Sequence, residues 1–223
     1  VMPERKFTAG SEPDKEDYYA TTPELARLIC ETLQKDFGLN PKTVLEPGCG
    51  AGTFIEGIKR VWPTADILGI ERNSDLKEQA SKRGFAVLWN DVLESPPAKY
   101  DAILGNPPFT YAEQFILKCL PQLNEGGVLA FILRLGFLSG SQRYESLYSN
   151  YPPKHIYIIA HRPGFSSNGL TDATDYMVAV WQEGWTGITT LSYLNNKDVK
   201  SKWTDYTYPE RGKGEIKGNL MEY

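Results

Sequence analysis

Short apolar runs alternate along the chain with stretches whose apolar residues recur every three or four positions. A short apolar run bounded by turn residues is typical of a buried strand, and the wider spacing is typical of a helix with one buried face. The predicted strands are 43–46, 66–71, 85–89, 100–104, 126–133, 155–160 and 176–181. The predicted helices are 23–37, a segment through Ile55, Ile58 and Val61, then 74–84, 112–120 and 139–149.

Strands that alternate with helices of this length are typical of βαβ units. We therefore predict an α/β fold with a doubly wound, mostly parallel sheet and helices on both faces. One domain over residues 17–192 contains this alternation. Residues 1–16 and 193–223 are polar and show little periodicity, so we interpret them as a flexible N-terminal arm and a polar C-terminal extension.

The composition is that of a soluble globular chain. Of the 223 residues, 41% are apolar and 23% are charged, and no apolar run approaches the length of a membrane span. The three cysteines lie far apart and only two histidines are present, so neither disulfides nor a metal site is indicated and a cytoplasmic location is expected. A net charge of −4 and a pI near 5.4 argue mildly against duplex nucleic acid as a partner.

A glycine-rich turn, EPGCGAG at 46–52, follows the first predicted strand. Gly48 and Gly50 permit positive φ and let a ligand approach the main chain, and Gly52 would let the following helix pack closely on the strand. In a doubly wound sheet, a nucleotide-like ligand binds in the crevice beyond the strand ends. A tight turn without a ligand is the alternative for a lone turn of this kind.

Acidic residues near the strand ends favour an adenosine-containing ligand. Glu71 ends the second strand, where it can accept from both hydroxyls of a ribose, and Asp91 follows the third strand, where it can accept from an adenine amine. The turn lacks GxGxxG spacing, and no lysine-serine pair follows it, which disfavours a dinucleotide site and a phosphate loop. Glu46 would repel a pyrophosphate but suits a ligand with positive charge, such as S-adenosylmethionine.

The tetrapeptide NPPF, at 106–109, follows the fourth predicted strand. With the glycine turn, it makes the chain resemble the Rossmann-like methyltransferases that use S-adenosylmethionine and methylate exocyclic amino nitrogens. Between 17 and 181, VLEPGCGAGTF resembles the cofactor motif, GIER the ribose-binding strand end, NDV the adenine-contacting segment and NPPF the catalytic tetrapeptide. DYYATTP, at 17–23, resembles the segment over the methionine end, with Thr22 where proline is usual. This order of motifs is that of the γ group of DNA adenine methyltransferases.

The resemblance implies two sets of site residues and no metal. The implied catalytic residues are Asn106, Pro107, Pro108 and Phe109. The implied cofactor-binding residues are Tyr19, Thr21, Thr22, Pro23, Glu46, Gly48, Gly50, Gly52, Glu71, Arg72, Asp91, Val92 and Asn106. FILRLGFLSGSQR and RPGFSSNGLTDATDYMVAVW also resemble small adenine-methyltransferase-like proteins of phages and prophages.

The chemistry of amino methylation explains why NPPF would suit this site. An aromatic or amide NH2 is a poor nucleophile because its lone pair is delocalised. Two acceptors aimed at its hydrogens, Asn106 Oδ1 and the Pro107 carbonyl, would localise that pair and favour the developing positive charge. The prolines restrict φ and offer no N–H, which keeps the acceptors in place. Phe109 can stack on a base that has swung out of its helix.

We therefore expect a methyltransferase that acts on adenine N6, with DNA favoured as the substrate. The alternatives are adenine N6 in RNA, a glutamine side-chain amide in a protein, and a catalytically inactive binding subunit. The glutamine-specific family usually carries NPPY, so Phe109 weakens that alternative. A protein partner for target recognition is compatible with the small C-terminal part.

Several weaker signals stay open between a substrate contact and an ordinary surface role. Basic residues after NPPF can contact phosphates or be solvated cations; they are Arg134, Arg143, Lys154, His161 and Arg162. The segment 162–175 is long and rich in glycine, which suits a substrate-facing loop, although Asp172 and Asp175 can simply cap it. Aromatic and basic residues alternate in 200–213, either as a single-strand binding segment or as a polar tail.

Overall fold

The structure is a computed structural model that describes residues 20–165 and 173–199. Within these ranges the strands are β1 (Thr43–Pro47), β2 (Asp66–Glu71), β3 (Ala86–Trp89), β4 (Tyr100–Gly105), β5 (Leu123–Arg134), β6 (His155–Ile159), β7 (Tyr176–Gln182) and β8 (Thr190–Leu194). The α-helices are α1 (Pro23–Phe37), α2 (Thr53–Val61), α3 (Ser74–Lys82), α4 (Ala112–Cys119) and the short α5 (Ser141–Arg143), which continues as a π-helix over Tyr144–Tyr148.

The eight described strands form one sheet in the order β3-β2-β1-β4-β5-β7-β6-β8. The strands β3, β2, β1, β4 and β5 pair in parallel, β7 lies antiparallel between β5 and β6, and β8 pairs in parallel with β6. The predicted doubly wound, mostly parallel α/β fold is therefore confirmed. Every strand except β7 ends on the same edge of the sheet, and β7 begins there. We call this the carboxyl edge.

Helices cover both faces of the sheet. On one face α1 and α2 bury residues such as Leu25 and Ile55 against the strands. On the other face the core includes Phe115 and Ile116 of α4 and Leu147 of the π-helix. Each helix thus buries the apolar side that its sequence spacing predicted, and the carboxyl edge is left between the two helical layers.

The start of α1 is fixed in two ways. Thr22 is the N-cap, and its side chain accepts a hydrogen bond from the Leu25 amide, while Pro23 occupies the first helical position. Gly57 of α2 lets the two helices approach closely, because a Cβ at that position would lie 2.4 Å from the Ala26 Cβ. The segment that precedes α1 is therefore held beside α2, near the carboxyl edge.

Two elements differ from the sequence prediction. The strand β8 was not predicted, because among its five residues only Leu194 is buried and no apolar run marks it. It extends past the predicted boundary at residue 192, and the domain limits themselves stay a prediction. The predicted helix 139–149 is present only as α5 and the π-helix. No described helix has the length and apolar character that crossing a membrane requires.

Candidate active site

The glycine turn connects β1 to α2 and is attached to the end of β2. Gly48, Gly50 and Gly52 have φ values of +71°, +52° and +78°, which explains the glycine at each position. The amides of Gly48 and Cys49 donate to the Ile70 carbonyl oxygen at 2.8 and 3.0 Å. The turn thus has a fixed conformation at the carboxyl edge.

The glycines of the turn have different neighbours. A Cβ on Gly52 would lie 2.5 Å from the Phe85 ring, so this glycine allows close packing against Phe85 and α3 rather than against the strand that the sequence suggested. A Cβ on Gly48 would lie 3.7 Å from Pro108 Cδ and 3.4 Å from the Phe115 ring. The glycine turn and NPPF are therefore neighbours in space, although Gly48 and Pro108 are 60 residues apart in the sequence (108 − 48).

The predicted ribose-binding carboxylate, Glu71, is buried and holds the turn. Its Oε2 accepts from the Gly50 amide and its Oε1 from the Asn73 amide, both at 2.8 Å. Burial raises the pKa of Glu71, while these two amides lower it. Each oxygen keeps a further lone pair, so the carboxylate can hold the turn and still accept from a ligand hydroxyl.

The predicted adenine-contacting segment lies on the next strand end. Asp91 Oδ2 accepts from Arg72 Nη1 at 3.3 Å, and Asp91 Oδ1 accepts from the Leu93 amide at 2.9 Å. Val92 is buried in the core. The structure therefore brings Arg72 and Asp91 together, although the sequence gave no sign that they form a pair.

Glu46 is the most unusual group of the site. It is 3% exposed, and burial raises the pKa of its carboxyl well above the usual range, with the nearby Glu71 raising it further. Within the described ranges, no group donates a hydrogen bond to Glu46 Oε2, and the same is true of the buried Thr21 Oγ1. A buried carboxyl with an unsatisfied oxygen beside a second carboxylate suits a cationic ligand. The residues present therefore fit S-adenosylmethionine.

NPPF begins directly after β4, at the carboxyl edge. Asn106 is half-buried, its Oδ1 atom is buried, and Pro107 is buried. The Pro108 carbonyl accepts from the Tyr111 amide at 3.0 Å in the 3₁₀ turn Phe109–Tyr111. That bond uses one lone pair of the Pro108 carbonyl, and the Pro107 carbonyl stays the predicted backbone acceptor.

Phe109 belongs to an aromatic row that the sequence did not indicate. Its ring centroid lies 5.6 Å from that of Tyr176, the first residue of β7, and Tyr176 lies 4.8 Å from Phe165. The Arg134 guanidinium, at the end of β5, lies 4.8 Å from the Phe109 ring. Because β7 inserts between β5 and β6, only the strand order shows that these residues meet.

Two further residues, which lie outside the turn and contact it, were missed by the sequence analysis. Arg83 Nη1 donates to the Ala51 carbonyl at 2.8 Å, although Arg83 lies 32 positions away and no local pattern marks it. Gly69 of β2 has no room for a side chain, because a Cβ there would lie 2.6 Å from Cys49 Sγ. A glycine inside a strand does signal a close approach, so Gly69 could have been recognised.

The basic residues after NPPF have different roles. Arg143 donates to the Phe137 and Ser139 carbonyls at 2.9 and 2.7 Å, and Lys154 donates to Gln182, so both fasten local structure. Arg162 forms an exposed ion pair with Asp175 at 2.9 Å. Tyr19, residues 166–172 with Asp172, and the predicted arm and C-terminal extension beyond 199 lie outside the described residues. In the described ranges, no cluster of histidine, cysteine and acidic residues could hold a metal ion.

Comparison with known proteins gives the family. Residues 24–151, more than half of the chain, match the family described as Methyltransferase small domain. The chain is 31% identical over 115 residues to modification methylase CviBIII of Paramecium bursaria Chlorella virus NC1A. This match covers 41% of the chain and 30% of that protein. It is 31% identical over 121 residues to trans-aconitate 2-methyltransferase of Afipia carboxidovorans, covering 52% and 47%. The matched stretch is thus less than half the length of either relative.

A solved structure with the same fold is a putative class I S-adenosylmethionine-dependent methyltransferase from Listeria monocytogenes. Its TM-score is 0.66 at 12% identity, over 82% of this chain and 68% of the other. This likeness confirms the predicted Rossmann-like fold, and the predicted cofactor agrees with the family match. The chain therefore belongs to the methyltransferase small domain family, a family of S-adenosylmethionine-dependent methyltransferases.

Proposed function

We propose that this chain transfers a methyl group from S-adenosylmethionine to the exocyclic N6 of adenine in DNA. The observation that carries the proposal is the position of NPPF at the end of β4, with Pro108 3.7 Å from the Cβ position of Gly48. A group held by Asn106 and Pro107 would therefore lie beside a ligand held by the glycine turn.

Different residues of the site would contact different parts of the cofactor. Glu46 would balance the positive charge of its methionine part, Glu71 would accept from the ribose hydroxyls, and Asp91 would accept from its adenine amine. Thr21 and Thr22 stand at the start of α1, beside α2. When bound, the cofactor supplies an electrophilic methyl group on a sulfonium, which leaves as a neutral thioether as the new carbon–nitrogen bond forms.

The chain's own part in the reaction is to hold the amino group of the base. Asn106 Oδ1 and the Pro107 carbonyl would each accept one of its hydrogens, which favours a tetrahedral nitrogen whose lone pair is no longer shared with the ring. Positioning then supplies much of the rate enhancement, because nucleophile and methyl group are aligned before reaction. The extra proton on the methylated nitrogen passes to water along these acceptors, so no strong base is required.

The choice of DNA rests on the identity to a modification methylase together with NPPF. Trans-aconitate 2-methyltransferase is a relative with the same 31% identity. Its substrate, by name, is a carboxylate, which has no amino hydrogens that two acceptors could hold. The protein partner predicted for target recognition and the cytoplasmic location stay predictions.

Incubation with methyl-labelled S-adenosylmethionine separates these substrates. Duplex DNA, single-stranded DNA, total RNA, cell protein and trans-aconitate would be offered in parallel, and the labelled polymers digested to nucleosides or amino acids. We expect label in N6-methyldeoxyadenosine. Label confined to RNA, to glutamine or to the small acid would contradict the choice of DNA, and cofactor binding without any transfer would favour an inactive binding subunit.

A further inference from the structure

A pocket lies on the carboxyl edge beyond NPPF. It has a volume of about 190 Å³ and forms where the residues after β6 and β8 meet the start of α1. Pockets that enclose whole small-molecule ligands usually have roughly 300–1,000 Å³, so this one suits a single polar group. Thr22, the N-cap of α1, lies in its wall, and the amide end of a helix adds some preference for an anion.

The charged residues that line the pocket are basic. Arg162, Lys197 and His161 line it, and none of its described lining residues is acidic. Asn196, which is 5% exposed, fixes their positions: its Oδ1 accepts from the His161 amide at 2.8 Å, and its Nδ2 donates to the His161 carbonyl at 2.7 Å. Because Arg162 and Lys197 directly follow these two residues in the chain, the same two bonds hold both cations at one pocket.

Arg162 has an acidic partner that is not part of the pocket wall. Asp175 Oδ1 accepts from Arg162 Nε at 2.9 Å, and both side chains are about half exposed, at 57% and 49%. Exposed ion pairs of this kind are weak, and the bond uses only Nε of the guanidinium. Asp175 therefore orients Arg162, and the terminal nitrogens can still donate to an anion.

The pocket is connected to NPPF by the aromatic row. Phe165 lines the pocket, packs on Tyr176, and Tyr176 packs on Phe109. The strand order gives the scale: β6 is three neighbours from β4, and at about 4.8 Å per neighbour the separation is roughly 14 Å. A group bound in the pocket would thus belong to the same long substrate as the base at NPPF, a few nucleotides away.

We propose that this pocket binds a backbone phosphate of the nucleic acid strand that carries the target adenine, through Arg162 and Lys197. The proposal rests on the function proposed above, because it requires a nucleic acid substrate. The bound nucleic acid would follow the carboxyl edge from the target adenine at β4 towards β8. It explains how an acidic chain can hold an anionic polymer: two cations are concentrated at one concave site while the net charge stays at −4.

The test compares the double variant Arg162→Gln, Lys197→Gln with a control of equal charge change, Arg27→Gln, Lys42→Gln. Arg27 also forms an exposed ion pair, with Glu31 at 2.8 Å, and Lys42 is exposed at the opposite edge, just before β1. Fluorescence anisotropy would measure affinity for labelled duplex and single-stranded DNA and for RNA between about 50 and 200 mM salt. Isothermal titration with S-adenosylmethionine would measure cofactor affinity, and Tm would report folding.

We expect the pocket variant to bind nucleic acid at least tenfold more weakly than the control, with a log–log salt slope smaller by about 1, because neutralisation of one phosphate contributes about 0.9. Cofactor affinity and Tm should be those of the wild type. Equal nucleic acid affinity and equal salt slope in both variants would contradict the assignment of the pocket as a phosphate site. A loss confined to cofactor affinity, or a wild type that does not bind nucleic acid, would also contradict it. DNA binding that depends on the pocket, without methylation of the DNA, would support phosphate binding in the pocket and contradict the proposed function.

Discussion

The buried carboxyl of Glu46 costs stability in the protein without ligand, because it is held away from water and beside Glu71. Its pKa is raised in the folded state, so the stability associated with its proton is fully present below the unfolded pKa of about 4.3 and is lost as the pH rises through the folded pKa. A cationic ligand would reverse this cost, since it favours the ionised form.

Replacement of Glu46 by Gln should therefore have opposite effects on stability and on binding. At pH 8 the unliganded variant should melt a few degrees above the wild type, where about 1 kcal/mol corresponds to about 2–4 °C, and the difference should shrink towards pH 4.5. Its affinity for S-adenosylmethionine should fall at least tenfold, about 1.4 kcal/mol. Differential scanning calorimetry and titration calorimetry measure the two effects, with the exposed Glu125→Gln as the control. Tighter cofactor binding by Glu46→Gln would contradict the assigned role.

Phe109 offers a second test at this scale, because its ring packs on Tyr176 and lies under Arg134, while the proposed function places it beside the base. Phe109→Ala should lower kcat/KM for DNA by roughly 10- to 100-fold, since stacking of a base is worth about 1–3 kcal/mol. Phe109→Tyr should retain most of the activity because it keeps the ring. Steady-state methylation kinetics give the comparison, and a Phe109→Ala enzyme with wild-type kcat/KM would argue against stacking.

At the scale of single elements, the sequence predicted most of the architecture because each helix has one apolar side and the central strands are apolar throughout. α1 is the clearest case, with its N-cap, its proline and its apolar spacing all readable before Gly38. β8 could not be predicted, since an edge strand with one buried residue has no apolar pattern. The close approach of α1 and α2 was also invisible, because it depends on Gly57 meeting a residue 31 positions earlier, Ala26 (57 − 26).

That approach predicts an effect on stability. Gly57→Ala would put a Cβ 2.4 Å from the Ala26 Cβ and 2.7 Å from the Pro23 carbonyl, so α1 has to shift. Overpacking of this kind costs about 1–3 kcal/mol, and because the Cβ would meet three atoms closer than 3.0 Å we expect the cost to exceed the gain of about 1 kcal/mol in helix propensity. Urea unfolding should show a net loss, whereas Gly136→Ala, where nothing lies within 4 Å, should stay within about 0.5 kcal/mol. A stabilised Gly57→Ala would mean that the helices pack less closely.

At the scale of the whole molecule, the strand order determines which residues share the carboxyl edge. The ends of β1, β2 and β4 could be joined into one site from motifs alone, which is why Glu46, Glu71 and Asn106 were predicted together. The part of the carboxyl edge formed by β5, β7, β6 and β8 could not be assembled from motifs. There β7 enters antiparallel between β5 and β6 and brings Tyr176 beside Phe109. Arg162 was only one of several basic residues left open as a phosphate contact, and Lys197 was not singled out. Their meeting depends on pairings distant in sequence.

The central claim is that Asn106 and the Pro107 carbonyl hold the amino group that receives the methyl. Mass spectrometry of nucleosides from DNA incubated with S-adenosylmethionine and either the wild type, Asn106→Ala or the distant, exposed control Asn40→Ala tests it directly. The account predicts N6-methyldeoxyadenosine from the wild type and the control, and a rate lower by about a hundredfold or more for Asn106→Ala, with cofactor affinity within about tenfold. Methylation by Asn106→Ala at the wild-type rate would contradict the account.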